Sequence, residues 1–214
     1  MMLLNRAFAA VYDPFLALGE KRTMGRQRAE LLATAKGDVL ELGAGTGLNL
    51  GHYPEKLTTL TVSEPDAAMR ARLQRRAGRV RTSYPVTVSP DRAEALSFPD
   101  AAFDAVVSTL VLCTVQDPAA TLTEVRRVLR PGGRLLLIEH VSAPAGSRLA
   151  RWQRRSARPW KAFAGGCRCD QGTVRLLTDA GFSVAALKEE TWTGMPKIVA
   201  PLVVGSIGDD VWAC

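Results

Sequence analysis

A glycine-rich turn in the first quarter of the chain has the residue types and spacing of a ligand-binding loop. A predicted apolar strand over residues 39–42 runs directly into Gly43, Gly45 and Gly47, and we expect a helix after them. Glycines at such a bend permit a tight turn and let a ligand approach the backbone without a Cβ clash. Leu48 stands where the dinucleotide pattern has its third glycine, so the loop argues against a pyrophosphate ligand.

An acidic residue follows this turn at a spacing typical of nucleoside sites. Glu64 ends the second predicted strand, about 20 residues beyond Gly43. A carboxylate there can accept hydrogen bonds from both hydroxyls of a ribose. Tight turns and solvated acids are each common, but the combination predicts a nucleoside-binding site.

The elements that position these residues read as one doubly wound α/β domain over residues 1–214. Apolar runs alternate with segments of helical periodicity, which predicts a parallel sheet with helices on both faces. The expected strands cover residues 39–42, 57–62, 85–88, 103–110, 133–141, 183–189 and 197–205.

Three further segments have less regular patterns. Residues 1–35 predict one or two helices, broken at Asp13-Pro14. Residues 142–166 form a longer connection than a crossover requires, and we expect them to contribute to substrate recognition. The apolar stretch 198–207 fits either an interior strand or an exposed dimer edge, so the sequence leaves the oligomeric state open.

Five motifs in order, over about residues 36–141, resemble those of class I S-adenosylmethionine-dependent methyltransferases of type 11. They are residues 41–47, Glu64 with Pro65, and residues 92–100, 103–107 and 129–133. The resemblance implies a Rossmann-like seven-stranded methyltransferase sheet and S-adenosylmethionine as the cofactor. It also implies a helical lid over 1–35, a cofactor-binding core over 36–141, and a substrate-side insertion with the last strands over 142–214.

The resemblance implies a role for each cofactor-site residue by position. Glu41 and the glycine loop would hold the methionine moiety, Glu64 the ribose, and Thr109 with Leu110 would lie under the sulfonium. Arg92 departs from the pattern, since relatives often have Asp there to contact the adenine amine. The full set of implied cofactor-binding residues is Tyr12 (in the lid), Glu41, Gly43, Ala44, Gly45, Thr46, Gly47, Asn49, Glu64, Pro65, Met69, Ala93, Glu94, Thr109 and Leu110.

A closer resemblance extends beyond the cofactor-binding half. Residues 109–115, 139–141, Trp152-Gln153 and Gly166-Cys167 resemble animal membrane thiol methyltransferases with their bacterial relatives, and also bacterial phospholipid N-methyltransferases. This implies a small lipophilic acceptor such as a thiol, with phosphatidylethanolamine as the alternative. RNA modification is disfavoured because the fourth strand ends in Ser-Thr-Leu-Val rather than an Asn-Pro-Pro-Tyr clamp, so we expect no nucleic-acid partner. A non-catalytic module would have lost part of the donor loop, which is complete here.

Methyl transfer from a sulfonium asks mainly for alignment and exclusion of water, and for a base only if the acceptor arrives protonated. His140, at the end of the fifth predicted strand, and Glu139 before it are the candidate catalytic residues. A histidine that merely bonds loop backbone is an equally good interpretation. Cys113 is expected near the site as a small buried hydrophobe rather than as a nucleophile.

The net charge of +7 is concentrated in one segment. Residues 148–168 hold seven arginines and lysines without an acid, together with Trp152, Trp160 and Phe163. A basic amphipathic helix of this kind suits an anionic membrane surface. The favoured alternative is a helix whose apolar face closes the substrate cavity, and Pro159 is expected to interrupt it.

The four cysteines, Cys113, Cys167, Cys169 and Cys214, do not form a disulfide framework. Cys167 and Cys169 are one residue apart, and no second Cys/His pair lies nearby in sequence, so we expect no metal site. Reduced thiols and the lack of a secretory signal favour a cytoplasmic protein, with peripheral membrane contact left open.

Overall fold

A seven-stranded sheet forms the centre of the computed structural model, which describes residues 2–208 and the side chains of residues 9–208; Cys214 lies outside them. The strands are β1 (Gly37–Leu42), β2 (Leu57–Ser63), β3 (Val86–Ser89), β4 (Phe103–Thr109), β5 (Leu129–His140), β6 (Lys188–Thr191) and β7 (Pro201–Gly208). Their order across the sheet is β3-β2-β1-β4-β5-β7-β6. Strands β1 to β5 are parallel, whereas β7 runs antiparallel to both β5 and β6. The Rossmann-like class is confirmed, but the sheet is mixed rather than wholly parallel.

Helices cover both faces of the sheet, as predicted. They are α1 (Met2–Gly19), α2 (Gly25–Leu32), α3 (Ala67–Ala77), α4 (Pro118–Val128), α5 (Arg148–Phe163) and α6 (Thr173–Asp179), with a π-helical turn at Glu20–Met24. Because strand side chains alternate between faces, Leu136 and Ile138 join the core under α1 to α3. Leu135 and Leu137 join the core under α4 and α6. In residues 2–208 no helix is long and apolar enough to span a bilayer.

The last two strands begin later than predicted. Residues 183–189 were expected to form a strand, but Val184 and Leu187 pack on the second core, and the strand begins at Lys188. Strand β6 lies at the sheet edge and is mostly exposed, where charged residues discourage pairing with another chain. A 3-10 turn at Lys197–Val199 precedes β7. Because β7 lies between β5 and β6, it is an interior strand and not a dimer edge.

Two prolines lie inside helices that the sequence predicted to be broken. Helix α1 continues through Pro14, and α5 continues through Pro159. A proline removes one hydrogen bond from a helix, but tertiary contacts on both sides of it can hold the remaining turns. In α1, Ala9 and Leu16 are both buried. In α5, Gln153 is fully buried before Pro159, and Trp160 after it donates to Cys167 Sγ. The predicted breaks are therefore wrong.

The segment after the glycine turn is also not the predicted helix. Residues 45–52 form successive turns, with backbone hydrogen bonds from Gly47 to Ala44, from Leu50 to Gly47 and from His52 to Asn49. Gly43, Gly45 and Gly47 all have positive φ values (51°, 57° and 84°), a backbone conformation outside the right-handed helix. These turns lead into Tyr53, which is buried in the core.

Candidate active site

A cavity of about 630 Å³ opens at the carboxyl ends of β1, β2, β4 and β5, which is where parallel α/β sheets bind ligands. Most of the predicted site residues reach its wall. Those that line it are Tyr12, Gly43, Gly45, Glu64, Pro65, Met69, Ala93, Glu94, Thr109, Leu110 and His140. The remaining predicted residues, Glu41, Ala44, Thr46, Gly47, Asn49 and Glu139, lie behind that wall.

The glycine turn presents bare backbone to the cavity. Gly43 and Gly45 both line it in left-handed conformations. A Cβ atom at Gly43 would lie 3.0 Å from Cγ2 of Val111, so the turn and the loop after β4 can approach only because this residue is glycine. The amide of Ala44 points away from the cavity and donates to the Ser63 carbonyl at 2.8 Å, which fixes the turn against β2.

Glu64 is held in place by two backbone amides. Its Oε2 accepts from the Gly45 amide and its Oε1 from the Asp66 amide, both at 2.8 Å. Burial raises the pKa of Glu64, and the two amide hydrogen bonds partly counter that effect. Each carboxylate oxygen has a second lone pair, so the group can accept further hydrogen bonds from a ligand in the cavity. This is the arrangement that the two hydroxyls of a ribose require.

Glu41 supports the glycine turn from beneath. Its Oε1 accepts from Asn49 Nδ2 at 3.0 Å and its Oε2 from the Tyr53 hydroxyl at 2.7 Å. Asn49 Nδ2 also donates to Thr109 Oγ1 at 3.1 Å, and Arg28 Nη1 donates to Asn49 Oδ1 at 2.5 Å. Burial raises the pKa of Glu41 to about 7. The network connects β1, β4 and α2, and it positions Thr109 at the cavity wall.

The outer side of the same turn is tied to α1 and α3. Thr46 donates from Oγ1 to Asp13 Oδ1 at 2.5 Å, and Arg76 Nη2 donates to Asp13 Oδ2 at 2.8 Å. A Cβ atom at Gly47 would lie 2.9 Å from both Leu50 Cδ1 and Leu73 Cδ1. Thr46 and Gly47 therefore hold the turn against its neighbours.

Glu139 is placed differently from His140. It points to the opposite face of β5, where its Oε1 accepts from Ser108 Oγ at 2.7 Å and from the amides of Val111 and Leu112 at 2.8 and 3.2 Å. Burial raises the pKa of Glu139. These bonds hold the loop after β4, in which Leu110 has a left-handed φ of 59°. Glu139 thus contacts β4 and the loop after it and does not line the cavity, and the catalytic role expected of it stays a prediction.

The sequence did not predict that His140 meets two cysteines. Its Nε2 lies 2.9 Å from Cys167 Sγ, and Cys113 Sγ lies within 4.8 Å of that sulfur and of an imidazole nitrogen of His140. Burial lowers the pKa of His140, but the hydrogen bond and charge of Cys167 outweigh it and raise that pKa. The contact with Cys113 and then that with His140 lower the pKa of Cys167. Two signals were readable. Cys113 and His140 lie at the ends of neighbouring parallel strands, and Gly166-Cys167 belongs to the residues that resemble the thiol methyltransferases.

Helices α1 and α5 close the cavity on its apolar side. Phe15 and Phe163 pack edge to face with their ring centres 5.7 Å apart, and Trp160 lines the wall beside them. The predicted apolar face of α5 is only partly correct, because Trp152 is 54% exposed whereas Gln153 is buried. The helix nevertheless closes the cavity, as the favoured alternative had predicted.

Comparison with known proteins gives consistent matches. The family described as "Methyltransferase domain" matches residues 40–137. Thiol S-methyltransferase TMT1B of Rattus norvegicus is 36% identical over 171 residues, which cover 79% of this chain and 70% of that protein. Phosphatidylethanolamine N-methyltransferase of Cereibacter sphaeroides is 30% identical over 138 residues, covering 64% of this chain and 66% of that protein. A solved SAM-dependent methyltransferase from Thermotoga maritima has a TM-score of 0.65 at 21% identity, covering 98% of this chain and 95% of its own.

The chain belongs to the class I S-adenosylmethionine-dependent methyltransferases. It is an enzyme of that family, and among its relatives are thiol S-methyltransferase TMT1B of rat and, at 35% identity, of human. S-Adenosylmethionine is its cofactor, and the bare glycine turn, the amide-held Glu64 and the cavity between them fit that molecule.

Proposed function

We propose that this enzyme transfers a methyl group to the sulfur of a small apolar thiol. The observation that carries the proposal is the composition of the cavity beyond Thr109 and Leu110. There the wall is apolar, with Phe15, Trp160 and Phe163, and it ends at the thiols and imidazole of Cys113, Cys167 and His140. Apolar walls favour a lipophilic acceptor, and the relatedness to TMT1B supports a thiol.

The roles of the cofactor-site residues follow from where they lie. We assign the ribose to Glu64, the adenine to the wall formed by Pro65, Met69, Ala93 and Glu94, and the methionine moiety to the glycine turn braced by Glu41. Thr109 and Leu110 then lie beside the sulfonium, and Tyr12 covers it from α1. The assignment is supported by the way these residues, apart from Glu41 behind the glycine turn, line one continuous cavity.

The cofactor supplies a methyl group on a positively charged sulfur, so the protein has to align the acceptor and exclude water. A neutral thiol is a weak nucleophile, whereas its thiolate is a strong one. We propose that His140, which is 1% exposed at the end of the cavity, lowers the pKa of the acceptor thiol. The apolar walls from α1 and α5 would keep bulk water from the reacting atoms.

The test measures S-adenosylhomocysteine released by the pure protein with small apolar thiols, matched amines and alcohols, and phosphatidylethanolamine vesicles. We expect turnover with the thiols. Glu64→Gln should weaken cofactor binding about tenfold or more, because a charged acceptor of hydrogen bonds is lost. Glu55→Gln, an exposed change on the turn before β2, is the matched control and should leave turnover unchanged.

Release with amines or vesicles but not with any thiol would overturn the thiol assignment. Release with vesicles alone would support the second candidate, phosphatidylethanolamine methylation, which is favoured by the relative from Cereibacter sphaeroides. In either case the effect of Glu64→Gln should remain, since it concerns the cofactor and not the acceptor.

We also propose that α5 contacts anionic membrane surfaces. Arg155 and Arg158 of this helix are exposed. The exposed rings of Trp152 and Phe163 lie on either side of them in sequence, about three turns apart. Val11, Phe15 and Leu18 of α1 are exposed as well, and Phe15 contacts Phe163. Basic residues beside exposed aromatic rings suit the interface of an anionic bilayer. A lipophilic acceptor would then enter the cavity from the membrane. The cytoplasmic location expected from the sequence stays a prediction.

Sedimentation with vesicles containing phosphatidylserine tests this contact. We expect binding that falls as salt is raised, because counterions screen the attraction. The double variant Arg155→Gln/Arg158→Gln should reduce binding several-fold. Arg75→Gln/Arg79→Gln, in the last turn of α3 and just after it, removes the same charge elsewhere and should not. Equal losses in both variants would show only a general charge effect and would refute docking through α5.

A further inference from the structure

Three buried side chains that can ligate a metal converge at the inner end of the cavity. Cys113, His140 and Cys167 are 1%, 1% and 9% exposed, and all three line the cavity wall. Their ligand atoms, two Sγ and one imidazole nitrogen, all lie within 4.8 Å of one another. Neither the glycine turn nor Glu64 belongs to this cluster, so cofactor binding does not account for it.

The segments that carry the three residues are fastened to each other. The Arg168 amide donates to the Cys113 carbonyl at 2.9 Å, and Arg168 Nη2 donates to the Val115 carbonyl at 2.8 Å. Glu139 holds the amides of Val111 and Leu112 on the other side of the cluster. The convergence of Cys113 and Cys167 is thus built into the fold rather than left to two free loops.

Contacts around the cluster suit a thiolate ligand. Trp160 Nε1–H donates to Cys167 Sγ at 3.3 Å, a bond that stabilises negative charge on sulfur. His140 Nδ1 is buried without a hydrogen-bond partner among the described residues. When Nε2 ligates a metal, Nδ1 carries the ring proton, and that N–H then needs an ordered water as its acceptor. The carbonyl of His140 accepts from Thr173 Oγ1 at 3.2 Å, which anchors the end of β5.

We propose that Cys113 Sγ, His140 Nε2 and Cys167 Sγ bind one Zn²⁺ ion and leave its fourth position open to the cavity for the acceptor sulfur. Three protein ligands with one open position is the pattern of catalytic zinc, and two thiolates with one imidazole is a known ligand set. Zinc distances of about 2.0 to 2.3 Å place tetrahedral ligand atoms roughly 3.5 to 3.8 Å apart. The separation of 2.9 Å between His140 Nε2 and Cys167 Sγ, and the limit of 4.8 Å on the other two separations, mean that shifts of about 1 Å or less are needed.

As zinc ligands, His140 and both cysteines would together activate the acceptor sulfur. This role rests on the proposed function, in which the acceptor is a thiol. An acceptor thiol that binds Zn²⁺ loses its proton to solvent and stays bound as a thiolate. A lone pair of that sulfur forms the new S–CH₃ bond, while the old CH₃–S bond of the donor breaks and its electron pair stays on the donor sulfur. The product is a neutral thioether, a poorer zinc ligand than a thiolate, and so it can leave.

Zinc content is the first measurement, made by elemental analysis on full-length protein prepared under reducing conditions without a metal-binding tag. We expect one zinc per chain. Replacement by Co²⁺ should produce the visible absorption of a tetrahedral thiolate site, and an added small thiol should change that spectrum without any cofactor present. Cys113→Ser, Cys167→Ser and His140→Gln should each lower metal affinity at least tenfold, with the helical content unchanged.

Cys169→Ser is the matched control, because Cys169 is also buried and lies two residues from Cys167 but outside the cluster. It should keep full zinc content. A wild-type protein that binds neither Zn²⁺ nor Co²⁺ would overturn the proposal, as would unchanged affinity in Cys113→Ser. If metal-free protein methylates thiols at the full rate, the zinc proposal fails and the proposed function stands. If zinc binds but no thiol is methylated, the metal site stands and the acceptor assignment fails.

Discussion

At the scale of single residues, burial of the Glu41 carboxyl group makes the stability of the fold depend on pH. Burial raises its pKa from 4.5 to about 7, while Tyr53, Asn49 and the charge of Arg28 act in the opposite direction. A raised pKa means that the folded state prefers the protonated acid. The associated stability is fully present below about pH 4.5 and is lost as the pH rises towards 7.

Glu41→Gln should remove this pH dependence. Glutamine can still accept from Asn49 and can donate to the Tyr53 hydroxyl, so the network survives without a titrating group. Relative to this variant, the wild-type free energy of unfolding should fall by on the order of 3 kcal/mol between pH 4.5 and pH 8. Urea denaturation of both proteins at several pH values measures this free energy of unfolding. Parallel pH profiles for the two proteins would contradict the account.

At the scale of elements, Gln153 joins α5 to the rest of the fold. Its side chain is 0% exposed, donates to the carbonyls of Val141 and Ile198 and accepts from the Ala143 amide. These bonds connect the helix that closes the cavity to the end of β5 and to the turn before β7. A buried polar side chain therefore positions an apolar cavity wall.

Gln153→Ala should lower the free energy of unfolding by about 2 to 4 kcal/mol, because three buried backbone groups lose their partners. Gln153→Met, which keeps most of the volume, should be nearly as destabilising if the hydrogen bonds matter more than the space. Arg154→Ala, the exposed neighbour in the same helix, should change stability by less than about 0.5 kcal/mol. Equal stability of Gln153→Met and wild type would show that packing alone holds α5.

At the scale of the whole molecule, the mixed sheet decides where chemistry can take place. The carboxyl ends of β1, β2, β4 and β5 meet at one edge, so the glycine turn, Glu64, the loop after β4 and His140 surround a single cavity. Strand β7 enters antiparallel between β5 and β6, and so the chain between β5 and β7 returns over that same edge. This return brings Trp192, Met195 and Val199 to the cavity, whereas α5 and Cys167 reach it from the connection that directly follows β5.

Local features of the cofactor half were predictable from sequence. The glycine turn, Glu64 and the positions of β1 to β4 were readable because strand periodicity and positive-φ turns act within a few residues. The motifs from residues 36 to 141 sufficed for the class of fold, the cofactor and the methyltransferase family.

Only the tertiary structure decided the acceptor side. Cys113, His140 and Cys167 are separated by at least 27 positions, and they meet through loops whose paths no local pattern encodes. Glu139 and His140 adjoin in sequence but face opposite sides of β5, and only its neighbours determine which side holds the cavity. Helices α1 and α5 run through prolines because packing contributes more than one lost hydrogen bond. Short-range backbone preferences specify the proposed cofactor site, whereas the proposed acceptor site depends on long-range packing.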